Sequence, residues 1–271
     1  MYTKINLIPN EEKSFTDESE EPAMLNSRLE EILKVVNRQR KVAVTELARQ
    51  LRVSVVTVRK DLTTLEDQGL LRRQHGFAVV NNPDNLNYRL AQHYEAKSRI
   101  ARAAADLVAD GATIMIESGS ACALLAATLG EQGKHVTIVT NSYYIADYVA
   151  NYPTLAVFVL GGRYQGTAQV VVGPLTQQML TAFHVAQLFV GTDGYDHANG
   201  FSSRDIMRNE VAQAMARRAE TVTVLTDSSK FQGASLMHQF ALNEVDRVIT
   251  DDSLSDAVAR DLRAQTTLQL V

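Results

Sequence analysis

From residue 88 to the end, short apolar runs alternate with stretches of helix length, and this alternation restricts the fold more than any other feature of the sequence. The runs fall at residues 113–117, 136–140, 155–160, 187–190, 221–226, 247–250 and 268–270. Each is too short for a helix and is bounded by Gly, Asn, Asp or Ser, so each predicts a strand. Residues 88–108 predict one long helix, and further helices fit between most of the strands. Such alternation marks a parallel sheet with helices on its faces, a Rossmann-like α/β domain.

That domain does not account for the whole chain of 271 residues, a length that favours two domains. Charge divides it further. Residues 1–24 hold two basic and six acidic side chains, residues 25–80 eleven and six, and the remainder 14 and 19. A positive module joined to an acidic body fits a nucleic-acid reader with a separate sensing domain. No apolar run approaches the roughly 18 residues of a membrane span, and no leader pattern opens the chain. The single cysteine, Cys122, fits a reducing cytoplasm and reads as a small packed residue. The six histidines show no metal-ligand spacing, so neither metal nor cofactor is expected. Residues 1–23 read as a disordered acidic tail, with Met24 as an alternative natural start.

Residues 24–80 read as a winged helix-turn-helix. Apolar side chains at Leu25, Leu29, Ile32, Leu33 and Val36 line one face of a first helix, and residues 45–51 form a second. Ser54 is placed to cap a third, whose buried stripe is Val55, Val58, Leu62 and Leu65 and which stops at Gly69. Two extended runs, 70–73 and 77–80, make a hairpin wing, and residues 41–44 can pair with it. The third helix offers Ser54, Val56, Thr57, Arg59, Lys60 and Thr63, and the wing adds Arg72, Arg73 and His75. Short polar side chains near a helix start read base edges and flanking cations hold phosphates, so double-stranded DNA is the expected partner. A winged helix that binds protein is the alternative. Residues 81–87 form a turn-rich linker, and the effector domain occupies 88–271.

The predicted strands of the second domain run into small polar loops: Ser118-Gly119-Ser120, Asn141-Ser142, Gly161-Gly162, Gly191-Thr192-Asp193-Gly194 and Asp227-Ser228-Ser229-Lys230. Ligands of open parallel sheets bind beyond the carboxyl ends of the strands. Glycines there let backbone amides approach an anion, hydroxyls donate to it, and Lys230 adds a full charge. The expected effector is a small phosphorylated, hydroxyl-rich molecule.

The motifs Glu46-Leu47-Ala48, Thr57-Val58-Arg59-Lys60-Asp61-Leu62 and Arg72-Arg73-Gln74-His75-Gly76, followed by Ser118-Gly119-Ser120, Thr140-Asn141-Ser142, Gly191-Thr192-Asp193-Gly194, Gly200-Phe201, Glu210 and Asp227-Ser228-Ser229-Lys230-Phe231, resemble the DeoR family of bacterial transcriptional regulators. Over about 245 residues the resemblance implies a homo-oligomeric repressor of sugar-catabolism genes, relieved by a phosphorylated sugar. It also implies an effector domain like ribose-5-phosphate isomerase, with phosphate near Ser118, Gly119, Ser120 and Lys230, and sugar hydroxyls near Asn141, Asp193 and Glu210. The sequence departs from the family pattern at Glu117, where an aspartate is usual, at Ala121 in place of a hydroxyl residue, at Phe77 in the wing and at Ala212. An isomerase with an appended DNA-binding domain is the rival reading. The related enzyme motif carries three acids where this chain keeps only Asp193.

Overall fold

A computed structural model of the chain describes residues 27–82 and 84–271. The expected tail at 1–23 and the Met24 start lie outside the described residues.

The first module is built by local rules. Helix α1 (Ser27–Gln39) leads to β1 (Lys41–Ala43), α2 (Val44–Leu51), α3 (Val55–Asp67), and the hairpin strands β2 (Leu71–Gln74) and β3 (Phe77–Val80). Strand β1 pairs antiparallel with β3, giving the order β1-β3-β2. The connection between α2 and α3 turns on Arg52, whose left-handed backbone (φ 56°) ends α2. Ser54 then opens α3 by accepting a hydrogen bond from Thr57 N through its side chain. Ile32, Val36, Leu47, Val58, Leu62 and Leu65 are fully buried and form the core.

Two helices follow, α4 (Leu86–Ala91) and α5 (Tyr94–Ala105). The expected single helix over 88–108 is therefore broken, and α4 already begins inside the stretch read as linker. The break comes at Gln92, which is extended, and His93, which is left-handed at φ 53°. Lys97 stabilises it: its Nζ donates to Arg89 O and Gln92 O, both at 2.6 Å, satisfying carbonyls that a continuous helix would have used itself.

The chain continues through β4 (Thr113–Ile116), α6 (Ser120–Glu131), β5 (Val136–Thr140), α7 (Tyr143–Tyr148) and β6 (Leu155–Val159). A small hairpin, β7 (Arg163–Gln165) and β8 (Val170–Val172), precedes α8 (Pro174–Leu180) and β9 (Val185–Val190). Then come β10 (Gly194–Asp196), β11 (Gly200–Ser203), α9 (Ile206–Ala216), β12 (Ala219–Leu225), β13 (Met237–Phe240), β14 (Arg247–Thr250), α10 (Asp256–Gln265) and β15 (Thr267–Leu270). Seven strands form one parallel sheet in the order β15-β14-β12-β9-β4-β5-β6, and β10, β11 and β13 form a separate antiparallel sheet. The five strands β7, β8, β10, β11 and β13 lie in segments where the sequence reading places no strand. Apolar clusters cover both faces of the large sheet, one with Leu188, Val190 and Val224, the other with Ile114, Ile116 and Phe189. From β4 the chain winds to one side through β5 and β6; from β9 it winds to the other. The switch point lies between β4 and β9, where an open sheet leaves its crevice.

Candidate functional site

Two surfaces carry the predicted residues. On the first module, α3 turns Val58, Leu62 and Leu65 inward and leaves Ser54, Val56, Arg59 and Lys60 exposed, Val56 at 74%. Asp61 is buried and accepts a two-pronged bond from Arg28 (2.7 and 2.8 Å), which fixes α3 against α1. Thr57 and Ser54 share a 2.8 Å hydroxyl contact at the helix start. In the wing, His75 (φ 48°) and Gly76 (φ 82°) form a tight left-handed turn that leaves His75 exposed, and Arg72 of β2 is exposed as well. Arg73 and Thr63 face each other: Arg73 Nη1 donates to Thr63 Oγ1 at 2.8 Å, while Glu66 accepts from both the Arg73 amide and guanidinium. These two residues brace the wing on α3. An exposed methyl pair at Val56 suits a thymine methyl, and Arg59, Lys60 and Arg72 suit phosphates.

The second surface is a cleft of about 240 Å³ at the switch point. The loop after β4 carries Ser118, Gly119 and Ser120 into α6, facing the Gly191-Thr192-Asp193 loop after β9. Gly119 is closely packed here, since a Cβ would lie 3.0 Å from Cys122 Sγ and 3.3 Å from Gly191 Cα, tight enough that both neighbours would have to give way. Arg89, His93 and Lys97 enter from α4 and α5, Arg204 from the loop before α9, and Asp227, Ser229 and Lys230 from the loop after β12. A recess of about 30 Å³ adjoins it and shares Arg89, Gly191, Thr192 and Asp193, adding Glu117, Ser203, Arg208 and Gln239. A larger groove of about 700 Å³, bordered by Tyr94, Arg99, Arg102, Tyr148 and Tyr152, holds none of the predicted effector residues.

Four cations surround two carboxylates in the main cleft, so its field favours an anion. Lys97 is 5% exposed and stands 3.8 Å from Asp227. Burial pulls its pKa down to about 7, against the attraction of Asp227. Burial lowers Lys230 as well. Asp193 is pushed up by burial, but Arg204 and Arg89 outweigh this and hold its carboxyl below the ordinary range. Arg204 supplies both a guanidinium at 3.1 Å and a backbone N–H at 3.1 Å. A carboxylate so stabilised is a weak base and a good acceptor for hydroxyls. Glu117 accepts from Ser118 Oγ at 2.5 Å inside the recess.

Of the residues expected to hold an effector, Ser118, Gly119, Ser120, Asp193 and Lys230 lie together around the cleft and its recess. The other six stand elsewhere. Asn141 is buried with its Nδ2 directed at Val171 O, and Ser142 caps α7 through Ile145 N. Gly161 accepts from Thr176 Oγ1, and Gly162 leaves room for that side chain, only 2.1 Å from where a Cβ would sit. Gly194 packs in β10 against Gly233 O, and Glu210 is exposed on α9 near Gln177. For the first four the reason is topological: β5 and β6 end beyond the switch point, away from the crevice. Sequence reasoning missed Arg89, His93, Lys97, Arg204 and Arg208. Lys97 carried a signal, since it occupies a core-facing position one turn before Ile100 and Ala101.

Residues 28–84 match the family model of the DeoR-like helix-turn-helix domain and residues 92–252 that of the DeoR C terminal sensor domain. The chain is 31% identical over 236 residues to the L-fucose operon activator of Haemophilus influenzae, covering 86% of this chain and 94% of that protein. It is 32% identical over 238 residues to the lactose phosphotransferase system repressor of Streptococcus mutans, covering 83% and 91%. Among solved structures, ribose 5-phosphate isomerase A of Methanocaldococcus jannaschii aligns with 52% of this chain and 55% of its own at 20% identity and a TM-score of 0.39.

Proposed function

This chain belongs to the DeoR family of transcriptional regulators, and from that premise we propose that it represses a sugar-catabolism operon as a cytoplasmic homo-oligomer and is released by a phosphorylated sugar bound in the switch-point cleft. Helix α3 enters the major groove with Ser54, Val56 and Thr57 toward the bases, while Arg59, Lys60, Arg72 and His75 contact backbone phosphate. The ligand's phosphate lies among Ser120, Lys97, Lys230 and Arg204, and its hydroxyls meet Asp193, Glu117 and Ser118. The observation that carries this reading is the cationic cleft at the sheet's switch point, reached by α4, which joins it to the DNA module.

The chain is a regulator rather than an isomerase, as its family members are. Asp193, held ionised by Arg204, supports binding without turnover. By linkage, the sugar phosphate weakens DNA binding only as far as it prefers the released state, typically about 5- to 150-fold.

The test is fluorescence anisotropy of the protein on its own upstream DNA across a salt series, with a panel of sugar phosphates. Specific binding relieved by one phosphosugar is the expected result, and binding indifferent to the whole panel would remove the effector reading. Lys60→Ala is expected to weaken DNA binding and leave sugar-phosphate affinity unchanged. Lys230→Ala is expected to do the reverse, and equal sugar-phosphate affinity in that variant would place the phosphate elsewhere.

A further inference from the structure

Strand β6 is an edge of the seven-stranded sheet, and among the described residues no strand pairs with its outer side. Leu160 N donates to Thr140 O, so the backbone groups of residues 156, 158 and 160 turn toward β5 and those of 157 and 159 turn outward. Natural proteins guard such an edge with charge, proline or a bulge. The strand Leu155-Ala156-Val157-Phe158-Val159 contains none of these. Its side chains alternate: Leu155, Val157 and Val159 are half-buried, whereas Ala156 and Phe158 are exposed, Phe158 at 53%. One edge of the Phe158 ring packs against Phe183, with centroids 6.0 Å apart, and the rest of it is open, which is unusual on a parallel sheet because these sheets are covered on both faces. Near the carboxyl end of the strand, Met179 Sδ approaches Gly161 N at 3.0 Å, and Met179 and Leu175 are both exposed one helical turn apart on α8.

The charge pattern identifies the occupant. From Val149 to Phe183, thirty-five residues that include β6 and α8, Arg163 is the only charged side chain, in a protein whose charged fraction is 21%. In a twofold interface the same patch faces itself, so like charges close to the axis repel, and an edge free of charge there is complementary to its own copy. A charged partner, nucleic acid included, finds nothing complementary there. We propose that β6 is a self-association edge. Two copies pair antiparallel about a twofold axis at Val157, continuing the sheet from one subunit into the next, and each Phe158 ring covers the Ala156 methyl of the other copy. This inference rests on the homo-oligomeric part of the proposed function and assigns it a surface.

In this register Val157 is a hydrogen-bonded pair with itself, with Cα atoms about 5.5 Å apart, inside the range a disulfide spans. The native Cys122 is buried and the only cysteine, so the background is silent. Val157→Cys is expected to form a disulfide-linked dimer on mild oxidation, and Thr267→Cys on the opposite edge strand is not. Ala156→Lys, placed at an exposed position, is expected to abolish that cross-link and to halve the mass seen by light scattering at micromolar concentration. A Val157→Cys chain that cross-links no better than Thr267→Cys, or an Ala156→Lys chain that keeps the wild-type mass, overturns the assignment. A wild-type chain that is monomeric at these concentrations overturns the oligomer along with it, whereas an oligomer untouched by either variant removes this edge alone.

Discussion

Lys97 is the residue whose charge matters most in the cleft. It is buried, pinned by two carbonyls at 2.6 Å, and has a pKa of about 7, so near neutral pH it is part protonated. A phosphate nearby favours the charged form and raises that pKa. The sign follows: above about pH 7 the free protein has lost this proton, and binding must take one up. Affinity for an anionic sugar is therefore expected to fall as pH rises from 7, with a limiting slope of about tenfold per pH unit for one linked proton. Titration calorimetry at pH 8 in buffers of differing ionisation heat would reveal the uptake, and Lys97→Met should erase it; heats that ignore the buffer in the wild type would show that Lys97 does not change protonation on binding. Gly119 offers a second residue-scale test. Its φ of −67° suits any residue, so it is space alone that disfavours a side chain. Gly119→Ala must push Cys122 Sγ and the Gly191 backbone aside, which is expected to cost about 1–3 kcal/mol in denaturant unfolding and to close the mouth of the anion site.

Among the elements, α4 is the one that touches everything. Leu86 and Leu90 sit in the sensor core, Ala91 packs against the winged module, and Tyr88 Oη donates to Asn37 Oδ1 of α1 at 2.9 Å. Arg89 of the same helix lines both the cleft and its recess, and Asp84 just before it pairs with buried Arg208 at 2.9 Å. An effector bound in the cleft as proposed would therefore contact Arg89 and Lys97 and act on the element against which the DNA module packs. Tyr88→Phe removes one hydrogen bond between the modules, worth about 1 kcal/mol. The expected outcome is near-wild-type affinity for DNA and for sugar phosphate separately, with the ligand-induced loss of DNA binding reduced several-fold; an undiminished response in anisotropy would take Tyr88 out of the coupling. This helix was also where the sequence was least legible. The Ser54 cap, the wing turn at His75-Gly76 and the parallel strands follow from local chemistry, and all could be read in advance. The break at Gln92-His93 is held by a side chain four residues further on, and the convergence of β4 and β9 loops, rather than those of β5 or β6, depends on strand order. Neither is a local property.

At the scale of the whole molecule, charge separates the two tasks. Residues 25–80 carry a net charge of +5 and the remainder beyond them −5, so DNA is attracted to one end and repelled by the rest. A dimer presents two positive ends, and half-site DNA can engage only one. If Arg59, Lys60 and Arg72 each neutralise a phosphate in both modules, six contacts give a slope of roughly −5 in log affinity against log salt, and a half-site about half of that. Lys60→Ala, lost from two modules together, should lower the full-site slope by about two and the half-site slope by about one. Ala156→Lys tests the same arithmetic from the far edge of the sheet: without the β6 contact the two modules are no longer linked, and full-site DNA should be bound with the half-site slope. Equal slopes on half and full sites in the wild-type protein would mean that one module binds alone, and the paired geometry would have no role in reading DNA.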